Sequence, residues 1–200
     1  MTVTLSASSR KLSPERRTRI LNGARAVILR VGLRGATMES VAREAGVAKP
    51  TLYGYFPDKE AVFEALIAEI GEDIRSAFDA ALAQDGDTPA RIAAAIVAKY
   101  KVINRVLAGS PHAAELYDES TSASAGGRFG GLERHVEGQI ARVLEDGGAQ
   151  RPRPLAQLIV AASYGICRKA QNIAEIGPAV RLLVERLVRP ELGKAIGTRK

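Results

Sequence analysis

The amino-acid sequence predicts an all-α protein of about nine helices. Apolar residues recur every three or four positions along most of the chain, as they do on the buried face of a helix. No stretch alternates apolar and polar residues as a half-buried strand does, and the five Tyr, four Phe and absent Trp also disfavour a sheet. Proline follows a cap-type residue at four expected helix starts, which are Ser13-Pro14, Thr88-Pro89, Ser110-Pro111 and Gly177-Pro178.

Four helices are expected in the first third of the chain. The first begins at Pro14 and keeps helical spacing from Ile20 to Val31, until Gly32 and Gly35 end it after about five turns. Thr37 is expected to cap the second helix, which runs to Ala45, and the next two are expected over 50–56 and from Pro57-Asp58 onward. Beyond residue 87, five more helices are expected from the apolar residues over 92–107, 113–117, 129–143, 155–166 and 183–187, with a loop over 120–127.

The positive charge is concentrated in the first 60 residues. They hold eleven Lys and Arg against five Asp and Glu, whereas the remaining 140 hold eighteen against seventeen. A basic first third joined to a nearly neutral remainder indicates that the N-terminal part meets a polyanion such as double-stranded DNA. A solvated, arginine-rich helix face is the alternative.

Several classes of function have little support in the composition. The single Cys167 excludes an intrachain disulfide, and with only His112 and His135 beside it we expect no metal site and no cofactor. The longest apolar run, Ile92–Ala98, is far short of the ~20 residues that cross a bilayer. The N-terminus has no continuous apolar stretch of the signal-peptide type. We therefore expect a cytoplasmic protein with no membrane partner.

The segment from Thr37 to Phe56, TMESVAREAGVAKPTLYGYF, has the pattern of a helix-turn-helix. Ala42 is small where the second helix crosses it, and Gly46 lies where the turn needs a positive φ. Apolar side chains close a small core between the two helices at Val41, Ala45, Val47 and Leu52. An ordinary αα-corner in an enzyme is the alternative, which the basic local charge disfavours.

The stretch AGVAKPTLYGYFPDKEAVFEAL resembles the DNA-binding motif of the tetracycline-repressor (TetR) family of bacterial transcriptional regulators. The resemblance covers about Glu15–Leu66. It implies that the third helix enters the major groove and that the later helices bind a ligand and dimerise, most members being repressors released by a small molecule. The expected domains are a disordered tail over 1–12, a DNA-binding domain over 13–60, and an effector-binding and dimerisation domain over 61–200.

The resemblance also implies which residues meet DNA. Base edges should face Lys49, Pro50 and Thr51, while Tyr53 and Tyr55 should reach the backbone or bases, and Thr37 and Lys59 the phosphates. Core packing of Tyr53 is an alternative, and Leu52 and Phe56 are expected in the core. Two departures from the family pattern are Ala48, which leaves the recognition helix without a side-chain cap, and Gly54, which replaces a bulkier residue. Whether Arg10 and Lys11 reach DNA stays open.

A small-molecule effector would bind among polar residues set within apolar helical patterns. The candidates are Tyr100, Asn104, His112, Tyr117, His135, Tyr164, Cys167, Arg168 and Gln171. Tyr164, Arg168 and Gln171 share one helix face, which is equally suited to solvent or to a dimer partner. The histidines have ordinary surface or core roles as alternatives, and Cys167 can act as a small hydrophobe.

A homodimer through the last two helices is expected. The eighth helix is rich in Ala and Gly, which permit close approach, and the ninth carries more apolar surface than one buried stripe needs. Two-fold symmetry then predicts a roughly palindromic operator.

The leading interpretation is therefore a sequence-specific DNA-binding repressor and not an enzyme. The sequence contains no Gly-x-Ser-x-Gly motif, P-loop or Gly-x-Gly-x-x-Gly motif. A dimeric DNA-organising protein without an effector remains a second interpretation. A membrane-surface helix over 10–30 is a third, disfavoured by Glu15 and by the Gly turn that ends the apolar stripe.

Overall fold

The computed structural model describes residues 13–112, 130–170 and 172–192. Within these ranges the chain forms eight α-helices and one 3-10 turn, and a single isolated bridge joins Ala149 to Leu192. The all-α prediction is confirmed. The expected tail over 1–12, helix over 113–117 and loop over 120–127 lie outside the described residues. The helices are α1 Pro14–Gly35, α2 Met38–Glu44, α3 Lys49–Tyr55, α4 Lys59–Leu82, α5 Thr88–Leu107, α6 Gly130–Asp146, α7 Pro152–Lys169 and α8 Ile173–Val188, followed by the 3-10 turn Arg189–Glu191.

The described residues divide into two compact units, with the division inside α4 between Leu66 and Ile67. The first unit contains α1, α2, α3 and the start of α4, together with residues 110–112. The second contains the rest of α4 and the helices from α5 onward. A functional boundary at residue 60 stays a prediction.

Helix α1 is capped by Ser13 and bends at Gly32. The Ser13 hydroxyl accepts a hydrogen bond from the Arg16 N–H (3.4 Å), as expected of a capping serine before proline. Gly32 has a φ of 74°, and the helix bends there. Two side chains donate to carbonyls beside this bend: the Ser110 hydroxyl to Leu29 O (2.7 Å) and the Lys59 ammonium to Leu33 O (3.2 Å). The bend is therefore supported from two other segments of the first unit.

The second unit has an aliphatic core. Helix α5 packs against α6 and α8, and α7 packs against α6 and α8. Most of its fully buried side chains are Ile, Val, Leu and Ala, with Phe78 and Tyr100 as the buried aromatics among the described residues of this unit. No helix in the described ranges is both long enough and apolar enough to span a bilayer.

Two predicted helix starts are wrong. The Asp87 carboxylate accepts from the Ala90 N–H (3.0 Å) and caps α5, so Thr88 is the first helical residue. Asn172 caps α8 by accepting from the Ala174 N–H (3.0 Å), and Pro178 lies inside that helix. In both places a side chain placed earlier in the sequence reaches the free N–H groups of the first turn, which sets the boundary.

Candidate nucleic-acid interface

The turn between α2 and α3 has the backbone that the motif predicts. Gly46 has a φ of 61°, and the Val47 N–H donates to Ala42 O (3.0 Å) across the turn. No heavy atom lies within 4 Å of the position that a Cβ at residue 46 would occupy. The requirement for glycine is therefore conformational rather than steric, as expected.

Helix α1 supports this turn through a close approach that the sequence reasoning missed. A Cβ added to the buried Gly23 would lie 2.8 Å from the backbone N of Ala45 and 2.9 Å from its Cα and Cβ. Glycine is the one residue that allows α1 to come this near to the end of α2. In the sequence, this close approach was indicated only by a glycine on the apolar face of α1, near Leu21 and Ala24.

The start of α2 is held by a reciprocal pair of hydrogen bonds. The Thr37 hydroxyl accepts from the Ser40 N–H (3.1 Å), and the Ser40 hydroxyl accepts from the Thr37 N–H (3.0 Å). This capping box confirms that Thr37 caps α2. The residue is exposed, and a helix N-terminus attracts anions, so its position suits a phosphate contact.

Helix α3 buries one side and exposes the other. Leu52 is fully buried and Phe56 is 5% exposed, as expected for core residues. Lys49, Pro50, Tyr53 and Gly54 are exposed, and Thr51 is half-buried. Tyr53 is 45% exposed, so the alternative that it packs in the core is wrong. Ala48 makes no side-chain cap bond, as its residue type implies.

Two residues expected at DNA have partners within the protein. The Tyr55 hydroxyl accepts from the Ser13 N–H (2.7 Å) and donates its only proton to Ser13 O (3.2 Å). Lys59 donates one of its three ammonium protons to Leu33 O, which leaves two for a phosphate. Lys59 can thus bind DNA without losing its contact with α1, whereas Tyr55 has no proton left to donate.

Lys49 forms an exposed ion pair with Glu39 across the two helices of the motif. The two side chains approach to 2.6 Å, and the contact raises the pKa of Lys49 and lowers the pKa of Glu39. Because exposed ion pairs contribute little to stability, this one can be exchanged for a contact with DNA. The pairing was not foreseen from the sequence.

Four of the nine residues expected at an effector site are buried or half-buried in the second unit. In the second unit, Tyr100 is fully buried with its hydroxyl 3.3 Å from that of Ser163, and half-buried His135 lies 2.8 Å from a carboxylate oxygen of Asp79. Tyr164 and Cys167 are half-buried, and burial raises the pKa of the Cys167 thiol.

Of the other five candidates, three lie within the described residues. Asn104 and Arg168 are exposed, and their place at an effector site stays a prediction. His112 belongs to the first unit, where its ring lies 3.0 Å from the position of a Cβ on Gly32. Tyr117 and Gln171 lie outside the described residues. Periodicity along one helix could not separate these cases, because burial depends on which other helices pack against it.

The sequence reasoning missed the one buried lysine in the described part of the chain. Lys99 is 5% exposed, and Ser163, at 2%, is the other buried polar residue there. Desolvation lowers the pKa of Lys99, although Glu133, Cys167 and Glu137 oppose that shift electrostatically. Ile96 follows Ile92 by four residues and Lys99 follows Ile96 by three, which is the spacing of the apolar residues on the buried face of an amphipathic helix. A lysine at this apolar position was the signal in the sequence.

Metal ligands do not cluster in the described ranges, where no three His, Cys, Asp or Glu side chains could hold one ion. The candidate site is instead the exposed side of α3, with Lys49, Pro50, Tyr53 and Gly54, together with the N-terminus of α2 at Thr37.

Comparison with known proteins shows that the segment around α2 and α3 matches a protein family. The model of "Bacterial regulatory proteins, tetR family" matches residues 20–66. The HTH-type transcriptional repressor KstR of Mycolicibacterium smegmatis is 33% identical over 137 residues, which are 66% of this chain and 65% of that protein. The nucleoid occlusion factor SlmA of Actinobacillus pleuropneumoniae is 28% identical over 137 residues, 64% of this chain and 67% of that one.

A solved structure shares the whole fold. The transcriptional regulator of the TetR/AcrR family from Thermobifida fusca YX-ER1 superimposes with a TM-score of 0.69 at 22% identity, covering 93% of this chain and all of that one. The matched family segment contains α2, the Gly46 turn and α3, whose geometry is that of a DNA-reading motif. The chain therefore belongs to the TetR family of bacterial regulatory proteins and is a DNA-binding transcription regulator.

Proposed function

We propose that this protein is a repressor that binds a roughly palindromic operator as a homodimer and leaves it when a small molecule binds the second unit. The observation that carries the proposal is that α3 has one buried and one exposed side: Leu52 is buried against the rest of the first unit, while Lys49, Pro50, Tyr53 and Gly54 are exposed. An exposed helix of this kind on a rigid support is what the major groove admits. A regulator of this kind works in the cytoplasm, where the DNA is.

The proposed contacts divide into two kinds. Lys49, Pro50 and Thr51 begin α3 and are proposed to face base edges, with exposed Tyr53 reaching bases or backbone. Thr37 and Lys59 are proposed to hold phosphates, since one lies at a helix N-terminus and the other keeps two ammonium protons free. For Tyr55 we propose a role through Ser13, because its hydroxyl positions the start of α1.

The proposed dimer uses α7 and α8, which correspond to the last two helices expected from the sequence. Two of the four exposed large apolar side chains in the described residues lie there, Leu158 at 52% and Leu182 at 60% exposure. Small residues border an open groove between the two helices, among them Ala162, Gly165 and Ala179. A second copy would cover both the groove and the exposed leucines.

Fluorescence anisotropy on the DNA upstream of the protein's own gene tests this function. The titration is run at two salt concentrations with unrelated DNA as competitor. Lys59→Ala should weaken binding to all sequences and flatten the salt dependence by about one unit of slope. The matched control is Lys101→Ala, which removes an exposed positive charge from α5 and should leave the slope unchanged.

Thr51→Ala should lower the preference for the operator more than the affinity for unrelated DNA. Equal losses on both would remove Thr51 from the base-facing set. Failure of the unaltered protein to bind any DNA at low salt would refute the proposal as a whole.

A second candidate is a DNA-organising protein with no small-molecule effector. The similarity to SlmA, a nucleoid occlusion factor, supports it. The two candidates differ in one measurement: a compound that binds the purified protein and releases its DNA favours the repressor. Specific DNA binding that no compound in a metabolite collection reverses favours the second candidate.

A further inference from the structure

The buried polar side chains of the second unit meet around one residue, Tyr100. Lys99 and Ser163 are the two buried polar residues in the described part of the chain, and each lies beside it. The Lys99 ammonium is 5.3 Å from the centre of the Tyr100 ring, and the Tyr100 hydroxyl is 3.3 Å from that of Ser163. In ligand sites of proteins, a few convergent polar groups set among apolar side chains fix the orientation of the ligand.

The Lys99 ammonium has no carboxylate partner among the described residues. Glu133 and Glu137, one turn apart on α6, act on it electrostatically, but neither forms an ion pair or hydrogen bond with it. Ser163 gives its own proton to Val160 O (2.8 Å). A lysine that is 5% exposed and has no carboxylate partner within the described ranges is costly, since a buried charge is ordinarily paired.

A ligand with an acid group would supply what is missing. A carboxylate accepts several hydrogen bonds and carries the charge opposite to that of an ammonium, and burial strengthens such a contact. The other buried side chains of α5, α6 and α7 are mostly aliphatic, such as Ile96, Val136 and Ile159. The rest of the ligand should therefore be aliphatic rather than a flat aromatic system.

We propose that Lys99 binds the acid group of the effector, which is then a carboxylic acid with an aliphatic body. The inference rests on the proposed function, because it assumes that an effector binds in the second unit. Tyr100 has a positioning role here, since its ring lies beside the ammonium while its hydroxyl is fixed near Ser163.

The test measures dissociation constants by titration calorimetry for linear saturated acids from octanoic to hexadecanoic acid and for the alcohols of the same lengths. The proteins are the full-length chain, Lys99→Met and the control Lys101→Met, which replaces an exposed lysine on the same helix. Methionine keeps an unbranched side chain and removes the charge. Urea unfolding of each variant checks that it is folded.

We expect at least one acid to bind the unaltered protein and Lys101→Met at least about ten-fold more tightly than its matched alcohol. In folded Lys99→Met this ratio should fall to about one. Lys99→Arg, which keeps the charge, should retain a preference for the acid. The inference is overturned if no acid binds, if acid and alcohol bind equally, or if Lys99→Met keeps the preference.

The same experiment separates this inference from the proposed function. The acid preference is measured without DNA, so its absence counts against Lys99 alone. A protein that shows the acid preference but binds no DNA counts against the proposed function alone.

Discussion

Replacing Gly23 by alanine should move α1 away from the turn of the DNA-binding motif. The added methyl group would lie 2.8 Å from Ala45 N and 2.9 Å from Ala45 Cα. Ordinary contacts between heavy atoms are about 3.5–4.0 Å, so the two segments must separate by several tenths of an ångström. The atoms in the way belong mainly to the backbone, which cannot rotate aside as a long side chain can.

Two opposing effects determine the magnitude. Overpacking of this kind costs about 1–3 kcal/mol, whereas alanine in place of glycine in a helix contributes up to about 1 kcal/mol. The matched control is Gly54→Ala in the same unit, since no heavy atom lies within 4 Å of a Cβ there. Gly54→Ala gains only the higher helix propensity of alanine. The difference in the free energy of unfolding between the two variants is therefore set mainly by the clash at Gly23 and should be about 1–3 kcal/mol.

The assay is urea unfolding followed by circular dichroism, with operator binding measured on the same samples. Gly23→Ala should be less stable than Gly54→Ala and should bind DNA less tightly than the unaltered protein, because the end of α2 shifts. Equal stability of the two variants would refute the close approach of α1 to Ala45. Equal stability with normal DNA binding would also remove Gly23 from the support of the motif.

Three further predictions concern single side chains. Thr37→Ala should lower the free energy of unfolding by about 1 kcal/mol, because the capping box is lost, while Thr37→Ser should not; urea unfolding that shows no difference between them would contradict the cap. Ala48→Ser should raise that free energy by about 1 kcal/mol by supplying the cap that α3 lacks, and an unchanged unfolding midpoint would argue against it. Because burial lowers the pKa of Lys99, the folded state holds fewer protons than the unfolded state as the pH approaches the ordinary lysine value of 10.5, so stability should rise with pH there. Lys99→Met should lack this rise, and identical pH profiles of the two proteins would contradict the burial of the charge.

Local rules predicted the described helices, apart from the starts of α5 and α8, and the turn that joins α2 to α3. Helical spacing of apolar residues requires only neighbours within two turns, and Gly46 follows from backbone sterics at one position. The cap at Thr37 is likewise a contact between residues three apart. Such features depend on a few consecutive residues and were predicted from the sequence.

The burial of Lys99 and the partners of the expected DNA contacts required the folded chain. Tyr55 is hydrogen-bonded to Ser13, which is 42 residues away in the sequence, and His135 lies beside Asp79, which is 56 residues away. The spacing of apolar residues along α5 places Lys99 on the apolar face of the helix. It does not identify the residues around Lys99, which belong to α6 and α7. Thus the sequence by itself determined the helical class, the helix-turn-helix and the basic N-terminal third, because each depends on neighbouring residues or on composition. Only the tertiary structure decided which polar groups are buried and paired, because that depends on which distant helices pack together.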